Sequence, residues 1–322
     1  MNSERDIRYA AGVDVGGTTV KLGLFSMKGD LLEKWEIPTD HADNCANLLP
    51  DVAASLKEHL LAAGASPEAL AGVGIGVPGP VQPDGFVEVC VNLHWKDRYP
   101  AKELSELLSG IPCKAANDAN CAALGEAWKG GGAGAEDAVL FTLGTGVGGG
   151  VILGGNILAG RHGLGGEVGH IHVRDEETEQ CNCGGYGCLE QIASATGIVR
   201  EARRVMERTD EPSAMRSLGD ELSARAVCDL GREGDALADR VMETVGRYLG
   251  LAVSHVALTV DPEVFILGGG VSRAGEYLLE KVRRYYDSFT PISSNRGRIV
   301  LASLGNDAGK YGAVRLILRS AP

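Results

Sequence analysis

Positive charge is what this chain is short of. Lysine and arginine total 31 against 43 aspartates and glutamates, a formal net charge of −12. A surface of that sign repels phosphate backbones, so nucleic acid is excluded as a favoured partner. Any phosphate site must be built locally, from backbone N–H groups and a few cations. Long apolar runs are also missing, and no segment approaches the roughly 20 residues a membrane span needs. No basic start followed by an apolar run and a small-residue cleavage site is visible, so a cytoplasmic location is expected. Aromatics make up only 5%, yet 44% of the 322 residues are hydrophobic, enough for two moderate lobes or one large domain.

What is abundant is glycine, 46 residues, clustered at strand ends, where backbone must turn tightly or approach a ligand. Of eight cysteines, Cys45, Cys90, Cys113, Cys121 and Cys228 are scattered, as in a reducing compartment. Cys181, Cys183 and Cys188 are bunched, which points to metal before disulfide.

Apolar alternation and turn residues give the organisation. A strand over Ala10–Val15 runs into Gly16-Gly17. Val20, Leu22 and Leu24 alternate in a second strand, and a third covers Leu31–Pro38. Helical spacing follows around Asn47–Ala63, then a buried strand over Ala71–Val77 closed by Pro78-Gly79-Pro80, and a helix from about Ala119 to Trp128 that Asn117 or Asp118 can cap. The opening theme then returns: a strand over Ala138–Leu143, a glycine turn over Gly144–Gly149, a strand from Gly150 to Leu153 and a further turn into Asn156. Helical spacing over Asp235–Val260, a strand over Val264–Leu267, a helix from about Gly275, a strand over Ile299–Ala302 and a final helix from about Asp307 complete an α/β pattern. Residues 208–235 are polar and helical in tendency and carry no legible chemistry. His41, His59, His94, His162, His172 and His255 show no partner spacing and read as surface or core residues.

Three glycine segments can carry phosphate chemistry. In Asp14–Lys21, a strand ends on a carboxylate suited to Mg²⁺, Gly16 and Gly17 let N–H groups point at an anion, and Thr18, Thr19 and Lys21 add donors and charge. An ordinary β-turn beside an aspartate would look the same. Leu143–Gly150, with Gly144, Thr145 and Gly146, matches a dinucleotide fingerprint only by spacing, because a strand follows it where that site needs a helix. Phe265–Ser272 reads as a strand running through Gly268-Gly269-Gly270 into a helix, a place for a base or ribose to pack on bare backbone. His170 with Cys181, Cys183 and Cys188 makes a closed Cys₃His set, the usual structural Zn²⁺ site.

Taken together, Asp14–Lys21, Leu143–Gly150 and Phe265–Ser272 stand in the order used by the actin, heat-shock-70 and hexokinase superfamily. With the segments 76–80, Val91–Trp95, Asn117–Asn120, 165–170 and Cys181–Glu190, the chain resembles the ROK family of sugar kinases and regulators, and within it the Bacillus-type bacterial glucokinases. The resemblance implies a two-lobed actin-like (ribonuclease H-like) ATPase fold with mixed sheets and an inter-lobe cleft for ATP and Mg²⁺. One lobe would span residues 1–115 plus a helix at about 306–322, the other residues 116–305. It implies a homodimer and a glycolytic activity, transfer of the γ-phosphoryl group of ATP to glucose. Asp118 would be the catalytic base, with Gly79, Asn92, Asn117, Glu167, His170 and Glu190 on the sugar. His170 would hold zinc through one nitrogen and a sugar hydroxyl through the other.

Two other readings remain at this level. One is a kinase of another hexose, such as N-acetylmannosamine, fructose or allose. The second is a sugar-sensing ROK regulator, which carries a helix-turn-helix ahead of the first phosphate loop. Thirteen residues precede Asp14 here, which is too few for a DNA reader.

Overall fold

A computed structural model describes residues 8–319. The chain divides into two units, one made of residues 1–134, 150–165 and 306–322, the other of 135–149 and 166–305. Among the described residues no helix is long and apolar enough to cross a membrane.

The first unit opens with β1 (Tyr9–Val15), β2 (Thr19–Ser26) and β3 (Leu31–Pro38), followed by α1 (Leu48–Ala62) and β4 (Leu70–Val77). A two-stranded ribbon, β5 (Val87–Cys90) with β6 (Trp95–Arg98), precedes α2 (Pro100–Leu107), β7 (Cys113–Asn117) and α3 (Asp118–Lys129). The second unit begins with β8 (Ala138–Leu143) and the start of β9 (Val147–Leu153), while the rest of β9 and β10 (Asn156–Ile157) are counted with the first unit. Then come the short α4 (Glu190–Ala193), α5 (Ala195–Glu207), α6 (Ala224–Arg232), α7 (Ala236–Val260), β11 (Val264–Gly268), α8 (Glu276–Phe289) and β12 (Arg298–Leu301), before α9 (Ala308–Leu318) returns to the first unit.

The first sheet runs β3-β2-β1-β4-β7, with β1–β2 and β2–β3 antiparallel and β1–β4 and β4–β7 parallel. Strand β4 is apolar on both faces, as a covered parallel strand must be. Leu48, Leu49, Val52, Leu56 and Leu60 of α1 close one core with Val13, Leu22, Val73, Ile75 and Val77. Each such side chain contributes about 1.5–3 kcal/mol by leaving water. Helix α9 covers another part of the sheet through Val314 and Ile317, which pack with Ala10 and Phe25. It sits close enough that a Cβ on Gly74 would lie 1.7 Å from the Ala313 carbonyl oxygen, so glycine sets that spacing.

The second sheet runs β10-β9-β8-β11-β12, with β8–β11 and β11–β12 parallel and β9–β10 antiparallel. Counted in chain order, its strands repeat the sequence 3-2-1-4-5 of the first sheet. The repetition read from the glycine hairpins is therefore real and extends through the whole sheet. This is the actin-like ATPase fold. The long α7 starts where the Asp235 carboxylate accepts the N–H groups of Leu237 (3.1 Å) and Ala238 (3.0 Å), and stops at left-handed Asp261 ahead of Pro262.

Two local expectations need correction. The second glycine turn is shorter than Gly144–Gly149: β9 already begins at Val147, because the Gly144 N–H closes back on the Gly146 carbonyl at 2.9 Å. Gly268–Gly270 does not run straight into a helix. A 3₁₀ turn over Val271–Ala274 intervenes and α8 starts at Glu276, so the long helix's N-terminal dipole is not at the glycines.

Candidate active site

The first glycine turn is framed by charge. Asp14 on β1 and Lys21 on β2 are cross-strand partners, with Nζ 3.9 Å from Oδ2. The start of α9 abuts this carboxylate: a Cβ on Gly309 would lie 2.5 Å from its carbon, so no other residue fits there without a shift. Burial pushes the Asp14 carboxyl above its ordinary value, and Lys21 and Lys310 oppose that only in part. The Lys310 ammonium is itself buried and paired to Asp307 at 2.5 Å. Gly16, Gly17 and Thr18 form the bend, and Thr19 opens β2.

The second turn is framed by a different set. The Val147 N–H donates to Glu190 Oε2 at 2.9 Å, and a Cβ on Gly146 would come within 2.3 Å of that oxygen. The Ala195 N–H donates to the Gly144 carbonyl at 2.7 Å, and the Thr196 hydroxyl to the Thr145 carbonyl at 2.8 Å. The turn is thus bolted to α4 and α5. Gly269, at φ +84°, meets the end of β8: a Cβ there would lie 2.5 Å from the Leu143 carbonyl oxygen.

Gly144, Thr145 and Gly270 line a cavity of about 730 Å³. Its other wall is α6 and the residue before it: Ser223, Arg225, Cys228, Asp229 and Arg232. This segment lies in the stretch 208–235 that showed no chemistry in the sequence. Arg232 donates to the Ala274 carbonyl at 3.0 Å and pairs with Asp229 at 3.3 Å, tying α6 to the turn after the glycines. Burial pushes the Cys228 thiol up to about 11, so it stays protonated at neutral pH. A mostly apolar cavity of this size with convergent polar groups suits a nucleoside.

Asn117, and not Asp118, caps α3: its Oδ1 accepts the Asn120 N–H at 3.0 Å. The two N–H groups of its amide go to the Gly79 carbonyl and to Asp118 Oδ1, both at 3.0 Å. Asp118 Oδ1 also accepts the Ala119 N–H at 2.8 Å. The Asp118 carboxylate is therefore fixed in orientation at the head of a helix, half-buried, without serving as its cap. Gly79 belongs to a loop whose Pro78 carbonyl accepts the Cys90 thiol at 2.8 Å; Asn92 lies exposed on the 3₁₀ turn that follows.

Glu167, His170 and Glu190 run together in the second unit. Glu167 Oε2 stands 4.0 Å from His170 Nε2, His170 Nδ1 is 3.8 Å from Cys181 Sγ, and Cys181 Sγ is 3.9 Å from Glu190 Oε1. The four donors His170, Cys181, Cys183 and Cys188 all lie within 4.8 Å of one another, with Cys183 and Cys188 sulfurs 3.6 Å apart. Tetrahedral zinc with N and S ligands places its donors roughly 3.5–3.8 Å apart, so the set fits that ion. The Gly185 N–H points at Cys183 Sγ (3.4 Å), and isolated bridges His172–Cys188 and Gln180–Tyr186 close the loop.

The ROK family model matches residues 10–320. The chain belongs to the ROK family. It is 41% identical over 314 residues to a glucokinase of Halalkalibacterium halodurans, covering 96% of this chain and 95% of that protein. Among solved structures, the ROK hexokinase of Thermus thermophilus superposes with a TM-score of 0.81 at 30% identity, over 97% of this chain and 100% of the other. A ROK family glucokinase of Streptomyces griseus, in complex with glucose and AMPPNP, gives 0.72 at 30% identity over 96% and 98%.

Proposed function

We propose that this ROK protein transfers the γ-phosphoryl group of ATP to a hexose, with glucose the preferred acceptor and glucose 6-phosphate the product. The observation that carries the reading is the fixed Asp118 carboxylate, oriented by the Asn117 amide and the Ala119 N–H in a chain whose two sheets each bend on a glycine turn. A sugar hydroxyl is a weak nucleophile. Asp118 orients it and takes its proton as the new P–O bond forms and the bond from the γ-phosphorus to the bridging oxygen of ADP breaks. Asn117 is a positioning residue in this scheme, because both its N–H groups are committed to protein acceptors.

The nucleoside occupies the α6-lined cavity, where Gly144–Gly146 offer N–H groups to its phosphates, and the Gly16–Thr18 turn has the backbone of a phosphate-binding turn in its own unit. Asp14 is the side chain to hold Mg²⁺, which neutralises phosphate charge when bound. Glu167, His170 and Glu190 take sugar hydroxyls. His170 Nδ1 and the three thiolates would hold zinc, which would fix the ring and leave Nε2 available to substrate. Eight cysteines, none in a disulfide, fit a reducing, cytoplasmic setting, and a homodimer is the assembly to test by sedimentation.

The test is a coupled assay across glucose, mannose, fructose and N-acetylmannosamine, with ATP, ADP and polyphosphate as donors. Highest kcat/KM with glucose and ATP is expected. Turnover of N-acetylmannosamine above glucose would reassign the substrate, and no turnover of any hexose would end the reading.

A further inference from the structure

The loop after β3 reaches back to the first glycine turn from outside the motif. The Thr39 hydroxyl donates to the Gly16 carbonyl at 2.8 Å, His41 Nε2 donates to the Gly17 carbonyl at 2.6 Å, and the Thr39 N–H donates to the Thr18 carbonyl at 3.0 Å. Three successive carbonyls are therefore held by residues 39–41. All peptide bonds here are trans, and across a planar trans peptide the N–H points opposite to the C=O. Pinning the Gly16 and Gly17 carbonyls turns the Gly17 and Thr18 N–H groups to the other side of the turn. The turn is also open at its tip, where a Cβ built on Gly17 would meet nothing within 4 Å.

The clamp is itself fixed. Cys45, fully buried, has its sulfur 3.7 Å from His41 Nδ1, a thiol donating to that nitrogen and leaving the proton on Nε2. Asp40 accepts the Ala42 N–H at 2.9 Å, and left-handed Asp43, Asn44 and Cys45 set the bend into α1. The second glycine turn is held in the same manner, with its Gly144 and Thr145 carbonyls taken by Ala195 and Thr196. Two turns at equivalent sheet positions, with unrelated residues behind them, both have their carbonyls occupied on one side.

We propose that Thr39 and His41 are positioning residues for nucleotide, aiming the Gly17 and Thr18 N–H groups at its phosphates through the carbonyls they hold. The inference rests on the phosphate-loop reading above. Binding of AMPPNP with Mg²⁺ and of glucose is measured by calorimetry on wild type, His41→Ala, His41→Gln, Thr39→Val and Thr39→Ser, with Tm as the control for folding. His41→Ala and Thr39→Val are expected to weaken nucleotide about five- to tenfold, the value of one hydrogen bond, with glucose affinity unchanged. His41→Gln and Thr39→Ser, which keep a donor, should recover most of the loss. Equal nucleotide affinity in wild type, His41→Ala and Thr39→Val would overturn the clamp while leaving the kinase reading intact, as would His41→Gln as weak as His41→Ala at unchanged Tm. Absence of nucleotide binding in wild type would instead remove the phosphate-loop reading itself.

Discussion

The two glycine turns stand at equivalent places in repeated sheets, yet they are surrounded by different chemistry. Beside the first are acidic and basic side chains: Asp14, Lys21 and, through α9, Lys310 with Asp307. Beside the second is a hydrogen-bonded scaffold in which Glu190 holds the turn with one oxygen and stands 3.9 Å from a zinc-site thiol with the other. The contrast teaches that duplication supplied the backbone shape alone. In the proposed function the first copy serves metal and phosphate charge, and the second couples nucleotide to the sugar end of its unit.

Removal of zinc would bear most directly on that contrast, because it strikes only the second turn. Prolonged chelation, or Cys181→Ser, is expected to lower Tm and to raise KM for glucose and ATP together, with activity down about 10- to 100-fold. Metal analysis and two-substrate kinetics check it; fully active protein devoid of zinc would break the coupling.

Asp14→Asn probes the first turn and should separate function from stability. Turnover is expected to fall about 10²–10³-fold, the cost of losing one group that organises transition-state charge. Because burial raises the Asp14 carboxyl in the folded chain, its contribution to stability is full below the ordinary value of 3.8 and is lost as pH rises through the raised one. At neutral pH the charged form is therefore a strain on the fold, and the Asn variant without ligand should melt higher than wild type. A lower Tm would contradict the electrostatic description.

Glu177→Gln tests the support behind the second turn. Its buried carboxylate is paired with Arg200 (2.9 Å) and Arg204 (2.6 Å), and Arg200 also donates to the Gln191 carbonyl beside Glu190. Hydrogen bonds from Arg204 hold Glu177 down to about 2, so its stabilisation is present above the usual glutamate range and is lost as pH falls towards 2. Breaking one side of such a pair is expected to cost about 3 kcal/mol, read by urea unfolding at pH 7. The smallest expected effect is that of Thr196→Val, which removes one hydrogen bond to the Thr145 carbonyl. It should raise KM for ATP roughly fivefold and leave KM for glucose alone.

Much of this was readable from the chain. The glycine turns, the Cys₃His spacing and the Asn117–Asn120 segment each demand particular residue types at fixed separations, and those demands survive as patterns. The wall of the cavity proposed for the nucleoside did not. Ser223, which caps α6, and Cys228 and Asp229 on it contribute by lining the same cavity as Gly270, a juxtaposition that no local spacing records. Thr39 and His41 were hidden for a similar reason. They act on carbonyls 23 and 24 residues away, and a hydrogen bond to a carbonyl makes no demand on the sequence of the residue that accepts it. The start of β9 at Val147 was misplaced because consecutive glycines fit turn and strand alike, and a side chain far along the chain, Glu190, decides between them.

The measurement that tests the central claim most directly is Asp118→Asn, assayed for single-turnover phosphoryl transfer and for glucose and AMPPNP binding in the same preparation. Loss of transfer by about 10²–10⁴-fold with both affinities within about threefold of wild type is the outcome this account requires. Transfer at near wild-type rate would contradict it and remove the carboxylate from the proton-accepting role.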